Sequence, residues 1–188
     1  MTLGEYSVEL VNSIPHDLYI MLLVIFCAGC FALIGLRGLK GGWRQVLGLL
    51  LVEYIFLVYG STVIFRDIQE KRSYNYKLFW SYEKIRDTND PNLLPENVMN
   101  VVVFVPVGLL AAAVVRKYRL VFPVAVGLAI SVSIEALQFC FKKGFSEFDD
   151  VFHNTLGCLI GCLICLSFIK AYRLCAPTRF GTGVRPQS

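Results

Sequence analysis

The sequence predicts an all-α fold, a polytopic membrane helix bundle with about five transmembrane helices. Of its 188 residues 56% are hydrophobic and only 17% are charged, a balance that is too apolar for an ordinary soluble domain. Mean hydropathy is +0.60. Long charge-free runs alternate with short polar segments, as in chains that cross a bilayer repeatedly. A net charge of +4, gathered in patches beside the apolar runs, favours membrane lipids as partners and not nucleic acid.

Five apolar runs, each close to one bilayer span in length, define the elements. No lysine or arginine precedes the first run, so we expect a retained helix and not a cleaved signal peptide. Glu53 interrupts the second run, where a structural or pathway role is expected. The runs cover 18–36, 46–65, 98–115, 120–141 and 151–169. They divide the chain into a two-helix hairpin (1–65), an extracytoplasmic loop (66–97), a three-helix core (98–170) and a cytoplasmic tail (171–188).

Basic residues predict the orientation of the bundle. Acid-free basic clusters follow the first, third and fifth runs, for example Arg37 and Lys40, then Arg116 and Lys117. By the positive-inside rule these segments are cytoplasmic, so the N-terminus is outside and the C-terminus is inside. The loop 66–97 then lies outside, and its aromatic residues favour the headgroup level. An ordinary solvated loop is the alternative.

Polar side chains inside apolar spans converge in this topology. Such groups are costly in a membrane and need a reason. The third helix carries two asparagines at its outer end, the fourth a glutamate and a glutamine in its outer half, and the fifth two aspartates and an asparagine in its first turn. Three helices therefore bring polar groups to one depth. The predicted site consists of Asn97, Asn100, Glu135, Gln138, Asp150 and Asn154.

Residue spacing gives these side chains a direction. Glu135 and Gln138 lie three positions apart (i, i+3) and therefore share a helix face. Asp150 and Asn154 lie four positions apart (i, i+4), and Gly157 and Gly161 continue the same helix face. Because small residues let helices approach closely, we expect the last helix to pack against another through these glycines.

Glu135 and Asp150 are the candidate catalytic residues. A buried carboxyl group such as Glu135 can act as a general acid, a proton carrier or a hydrogen-bond anchor. Hydrogen bonding between helices is the structural alternative for Glu135, and capping of the last helix is the alternative for Asp149 and Asp150.

No metal site or cofactor is predicted. Cys158, Cys162 and Cys165 follow helical spacing without nearby ligands and are interpreted as small packing residues. His153 borders the acids, but no histidine or cysteine spacing typical of zinc accompanies it. The sequence contains no Walker loop, dinucleotide fingerprint or Ser-His-Asp pattern.

Three linked motifs carry a family resemblance. The segments 96–108 (ENVMNVVVFVPVG), 133–138 (SIEALQ) and 147–161 (EFDDVFHNTLGCLIG) resemble the opening, central and closing motifs of the VanZ-like family, and Trp80-Ser81-Tyr82 resembles a weaker upstream element. The match covers roughly 80–165, and the family's polar positions fall on the six predicted site residues. Many members have an arginine shortly before the closing motif. This chain lacks it there; Lys142, Lys143 and Arg66 are the candidates to replace its charge, and the sequence does not indicate whether any of them does.

The resemblance implies a multi-pass protein of the bacterial plasma membrane. Founding members of the family are associated with low-level resistance to teicoplanin, a glycopeptide with a lipid tail. We therefore expect binding or handling of a lipid-linked cell-wall precursor or a lipoglycopeptide at the outer-leaflet site. A lipid-headgroup enzyme using Glu135 and Asp150 as acid and base, a carrier for a lipid or small solute, and a structural partner of another membrane protein remain alternatives. The sequence does not indicate an oligomeric state.

Overall fold

The structure, a computed structural model, describes residues 15–37, 42–88 and 93–175. Within these ranges the chain is almost entirely helical, which confirms the predicted all-α membrane bundle. The helices are α1 (His16–Arg37), α2 (Trp43–Tyr59, continued by a π-helical segment, Gly60–Ile64), α3 (Trp80–Thr88), α4 (Leu93–Val114), α5 (Val121–Phe141) and α6 (Phe148–Cys175); two short strands are β1 (Ser73–Asn75) and β2 (Phe145–Glu147).

Four helices in the described ranges are long and apolar enough to cross a membrane: α2 with its π-helical segment, α4, α5 and α6. Helix α1 covers the first predicted run and has 22 residues, although several of its side chains lie outside the described residues. The acidic N-terminal segment, Lys40 and the tail beyond Cys175 also lie outside them. The inside–outside orientation and the division into four segments therefore stay predictions.

Glycines bring α4 and α6 into backbone contact. A Cβ atom on Gly157 would lie 2.1 Å from the carbonyl oxygen of Val101, and one on Gly161 would lie 2.0 Å from that of Val105. From the opposite helix, a Cβ on Gly108 would lie 1.9 Å from the carbonyl oxygen of Cys158. Small residues permit this approach between membrane helices. The predicted packing of the last helix by its glycine stripe is confirmed.

The apolar core lies along this helix pair. Phe104, Val107 and Ile134 are buried together with Cys158. Further along α6, Cys162 and Cys165 pack with Ala112 of α4. The three cysteines are therefore packing residues, as their helical spacing predicted.

The predicted loop 66–97 is more ordered than the sequence indicated. It contains β1, the whole of α3 and the first turn of α4. Strand β1 pairs in parallel with β2, so that Ser73 lies opposite Phe145 and Asn75 opposite Glu147. These three-residue strands are too short for an alternating pattern to reveal them. Their pairing ties the segment before α3 to the turn between α5 and α6.

Candidate functional site

A cavity of about 70 Å³ lies at the end of the bundle where α4 begins, α5 ends and α6 begins. All six residues of the predicted site line it: Asn97, Asn100, Glu135, Gln138, Asp150 and Asn154. The π-helical segment adds Ser61 and Thr62 to its wall, and β2 adds Phe145 and Glu147. π-Helical turns inside longer helices often occur at functional sites. The structure thus brings the six predicted site residues together at one cavity, whereas Asp149 and His153, which the first turn of the same helix also carries, do not line it.

Direct hydrogen bonds link the helices around the cavity. The Asn100 amide on α4 donates to Asp150 Oδ1 on α6 over 2.7 Å. Glu135, only 7% exposed, accepts a 2.8 Å bond from the backbone N–H of Glu147. This bond closes the turn between α5 and α6 over the carboxyl group. Glu135 therefore acts as a hydrogen-bond anchor between α5 and β2.

Two buried amide oxygens at the cavity have no hydrogen-bond partner among the described residues: Gln138 Oε1 and Asn154 Oδ1. The Gln138 amide nitrogen donates to the Thr62 carbonyl over 3.0 Å. Because a carbonyl only accepts, this bond fixes the orientation of the Gln138 amide. The Asn154 amide nitrogen is assigned as donor to Ser131 Oγ over 2.9 Å; because a hydroxyl can also donate, the orientation of this amide is set by assignment and not, as for Gln138, by its partner. Buried acceptors without partners are rare and costly, so the cavity favours a guest that donates hydrogen bonds.

Arg66 brings a positive charge to the cavity wall, and it interacts electrostatically with both Glu135 and Asp150. Lys142 and Lys143, the two lysines considered as replacements for the family's arginine, do not line the cavity. Lys142 Nζ donates to the carbonyl of Glu70 and Lys143 Nζ to that of Ile64. Of the three basic residues considered, Arg66 is therefore the one that lines the cavity.

Gly144 leaves the space that Arg66 needs. Its backbone is in the left-handed region, with φ of +130°, and a Cβ atom there would lie 2.8 Å from Arg66 Nη1. A side chain at this position would therefore be strained and would also displace the guanidinium.

Carboxyl groups outnumber the cation at the cavity. Glu96 and Glu147 line it together with Glu135 and Asp150. Burial, reinforced by the charge of Asp150, raises the pKa of Glu147 to about 8, although a hydrogen bond from Trp80 opposes the shift. Glu147 therefore carries a proton at neutral pH and can itself donate a hydrogen bond. The predicted site did not include Glu147, because a glutamate in a polar turn does not stand out from its neighbours in hydropathy.

Three consecutive residues of α3 hold this helix over the end of the site. The Trp80 indole N–H donates to Glu147 Oε2 over 2.7 Å. The hydroxyl and backbone N–H of Ser81 both donate to Asp149 Oδ2, over 2.5 and 3.0 Å. The Tyr82 hydroxyl pairs with His153 Nε2 over 2.7 Å. The weak Trp80-Ser81-Tyr82 motif is thus the contact surface of α3 on the start of α6.

Asp149 caps a different helix from the one expected. The capping alternative assigned it to its own helix, but its Oδ1 accepts from the backbone N–H of Phe79, immediately before α3. Asn97, a predicted site residue, donates to Ser81 Oγ over 3.0 Å and so supports this cap as well as lining the cavity. The completely buried Asp149 therefore holds α3 in place.

Glu53 lies on α2 and does not line the cavity. One of its carboxyl oxygens is buried without a hydrogen-bond partner among the described residues. Its predicted structural or pathway role stays a prediction.

Comparison with known proteins gives the family. The model of the VanZ/LLP1 family matches residues 46–170, which include nearly all of the four apolar helices and every residue that lines the cavity. Protein VanZ of Enterococcus faecium is 31% identical over 123 residues, covering 63% of this chain and 70% of that protein. No solved structure matches the chain. The matched region contains every residue of the predicted site, in the motifs on which the resemblance rested. This membrane protein belongs to the VanZ/LLP1 family.

Proposed function

We propose that this protein lowers the action of glycopeptide antibiotics such as teicoplanin by binding an amphiphile whose polar end enters the cavity. The amphiphile is a lipid-linked cell-wall precursor or the lipoglycopeptide itself. The observation that carries the proposal is the excess of buried hydrogen-bond acceptors at the cavity, two of them without a partner among the described residues. The position of the cavity at one end of four helices that are long and apolar enough to cross a membrane supports contact with lipid headgroups.

The size and chemistry of the cavity define the group that enters. A volume of about 70 Å³ is enough to hold a few water molecules. This space suits the small end of a headgroup, such as an ammonium or a hydroxymethyl group, better than a whole sugar. Four carboxyl groups with one guanidinium at the cavity disfavour a phosphate and favour a hydrogen-bond donor. We therefore expect the end of a headgroup to enter, with the rest outside.

Drug susceptibility tests the biological part of the proposal. The chain is expressed in a teicoplanin-sensitive bacterium, and the minimal inhibitory concentration is measured for wild type, Glu135→Gln and Asp150→Asn. Wild type should raise tolerance, and both variants should return to the level of the empty vector at equal membrane abundance. Asp87→Asn is the matched control because Asp87 is exposed on α3, away from the cavity. Full tolerance in both cavity variants would refute the proposal.

A glycopeptide without a lipid tail refines this test. If the protein recognises an amphiphilic drug, tolerance should be confined to teicoplanin. If it acts on a lipid-linked precursor, tolerance should extend to both drugs.

Binding is tested with the purified protein in detergent. Trp80 contacts Glu147 at the cavity, so its fluorescence reports on entry, and Trp80→Phe gives the background. Dodecylamine should change the emission, whereas dodecyltrimethylammonium, with the same charge and chain but no N–H, should not. Glu135→Gln should weaken binding of the amine by roughly 10- to 150-fold, since hydrogen bonds to charged groups contribute roughly 1.5–3 kcal/mol. Equal responses to the two amphiphiles would refute recognition by hydrogen-bond donation.

An enzyme acting on a lipid headgroup is the second candidate. It is favoured by Glu147, which holds a proton near neutral pH beside Glu135 and Asp150. Carboxyl groups in unequal environments can serve as acid and base. Mass spectrometry of lipids from membranes with and without the protein decides between the two. A new lipid species that disappears with Asp150→Asn favours the enzyme, and an unchanged lipid profile favours binding.

A further inference from the structure

An apolar groove lies at the opposite end of the bundle from the cavity, among α2, α4 and α6. It has a volume of about 520 Å³, within the range of sites that bury a ligand of substantial size. Its apolar lining comes from Leu109 and Ala113 at the end of α4 and from Phe168 and Ile169 near the end of α6. An apolar floor of this kind suits a hydrocarbon chain.

The rim of the groove is basic. Arg44, Arg119 and Arg173 line it and come from the start of α2, the residues before α5 and the end of α6. Arg119 Nε donates to the carbonyl of Val115 over 3.0 Å, which holds its guanidinium at the mouth. Arg44 Nη1 is buried without a hydrogen-bond partner among the described residues. Because each guanidinium has five N–H donors, Arg44 and Arg119 retain N–H groups that can donate hydrogen bonds to an anion.

No acid offsets this charge. The groove lining contains no aspartate or glutamate, and the sequence has none in 18–52, 97–134 or 151–188. Trp43 and Tyr172 complete the rim, and both are more than half exposed. Amphipathic aromatic rings prefer the level of the lipid headgroups. The groove therefore combines a fixed positive rim with an apolar floor at the edge of the membrane.

We propose that this groove binds an anionic glycerophospholipid of the surrounding bilayer. Its phosphate lies among the three guanidinium groups and one acyl chain lies along the floor. Basic pockets between transmembrane helices are known to hold anionic headgroups, and arginine matches phosphate with paired donors. A free phosphate would use the rim alone, whereas a lipid uses the rim and the floor. This site is separate from the proposed function and shares no residue with the cavity.

Native mass spectrometry of the full chain tests the proposal. Phosphatidylglycerol and phosphatidylcholine with identical acyl chains are titrated into the detergent-purified protein. Phosphatidylglycerol should be retained preferentially. Arg119→Gln with Arg173→Gln should lower its retention by about 25-fold, at roughly fivefold for each basic residue near a membrane surface.

Two controls separate a site from general attraction. Arg116→Gln with Lys117→Gln removes the same charge from the same end without touching the groove lining and should change retention little. Ala113→Trp fills the floor without altering charge and should also weaken phosphatidylglycerol. Equal losses from the two charge pairs, an unaffected Ala113→Trp variant, or displacement of the lipid by millimolar inorganic phosphate would each overturn the proposal.

Discussion

Adding one methyl group at Gly157 should disrupt the α4–α6 contact and the cavity above it. The new Cβ atom would meet the Val101 carbonyl oxygen at 2.1 Å, and ordinary contact begins near 3.4 Å. The helices must therefore separate locally by about 1.3 Å. The obstacle is backbone, which cannot rotate away, so the overpacking cost lies near the upper end of the usual 1–3 kcal/mol.

Gly48 provides a matched control in another apolar helix, because a Cβ atom there has no neighbour within 4 Å. Alanine is a better helix former than glycine by about 0.5–1 kcal/mol. Gly48→Ala should therefore raise the free energy of unfolding by that amount. Gly157→Ala should lower the free energy of unfolding by a net 2–2.5 kcal/mol, roughly, after the same gain in helix propensity is subtracted.

The assay is unfolding in mixed micelles with increasing sodium dodecyl sulfate, followed by circular dichroism. Gly157→Ala combined with Gly161→Ala should cost less than the sum of the two, because the first substitution already separates the helices. Asn100 adjoins Val101, so the 2.7 Å bond from Asn100 to Asp150 should also be lost, and drug tolerance with it. If Gly157→Ala were as stable as Gly48→Ala, the close backbone contact inferred here would be wrong.

Three further perturbations have expected outcomes. The pKa of Glu147 is raised by burial from 4.5 to about 8, so the folded state holds a proton that the unfolded state releases. The free energy of unfolding should fall as pH rises from 5 to 8, and Glu147→Gln should flatten this decline in the micelle assay. Asp149→Asn should loosen α3 and speed amide hydrogen exchange there, whereas Asp87→Asn should not; equal exchange in both would contradict the cap. Tyr54→Phe should cost about 1 kcal/mol by removing the 2.9 Å bond to the Val103 carbonyl; an unchanged unfolding midpoint would contradict it.

The sequence predicted the spanning helices well and their ends poorly. Apolar runs mark the part of a helix that lies in hydrocarbon, while the helix itself continues into the headgroup region. Helix α6 was expected over 151–169 but extends over Phe148–Cys175, and α4 begins at Leu93 instead of residue 98. The placement of Asn97 at the start of α4 and of Asp149 in the first turn of α6 was nevertheless predicted, although both residues precede their apolar runs. Backbone hydrogen bonding, and not hydropathy, sets these ends.

The six predicted site residues could be found because a polar side chain contrasts with an apolar run. Arg66 and Glu147 line the same cavity but lie in polar segments, where hydropathy gives no contrast. The sequence therefore offered Arg66 only as one of three candidates for a charge, and Glu147 only as the first residue of the closing motif. Their positions depend on tertiary structure, namely the pairing of β1 with β2 and the π-helical turn. Only the weak Trp80-Ser81-Tyr82 motif pointed to the cover formed by α3. This motif was therefore the signal in the sequence for the contacts between α3 and the start of α6.

The length of α6 affects how the site meets its surroundings. Its 28 residues measure about 42 Å at 1.5 Å per residue, whereas the hydrocarbon layer is about 30 Å thick. The surplus of about 12 Å must be taken up by tilting or by protrusion into the interface. A protruding first turn would leave Asp150 at a depth that water reaches, so that a guest could arrive without crossing hydrocarbon. Membranes of different thickness should therefore tune access to the same pocket without any change in sequence.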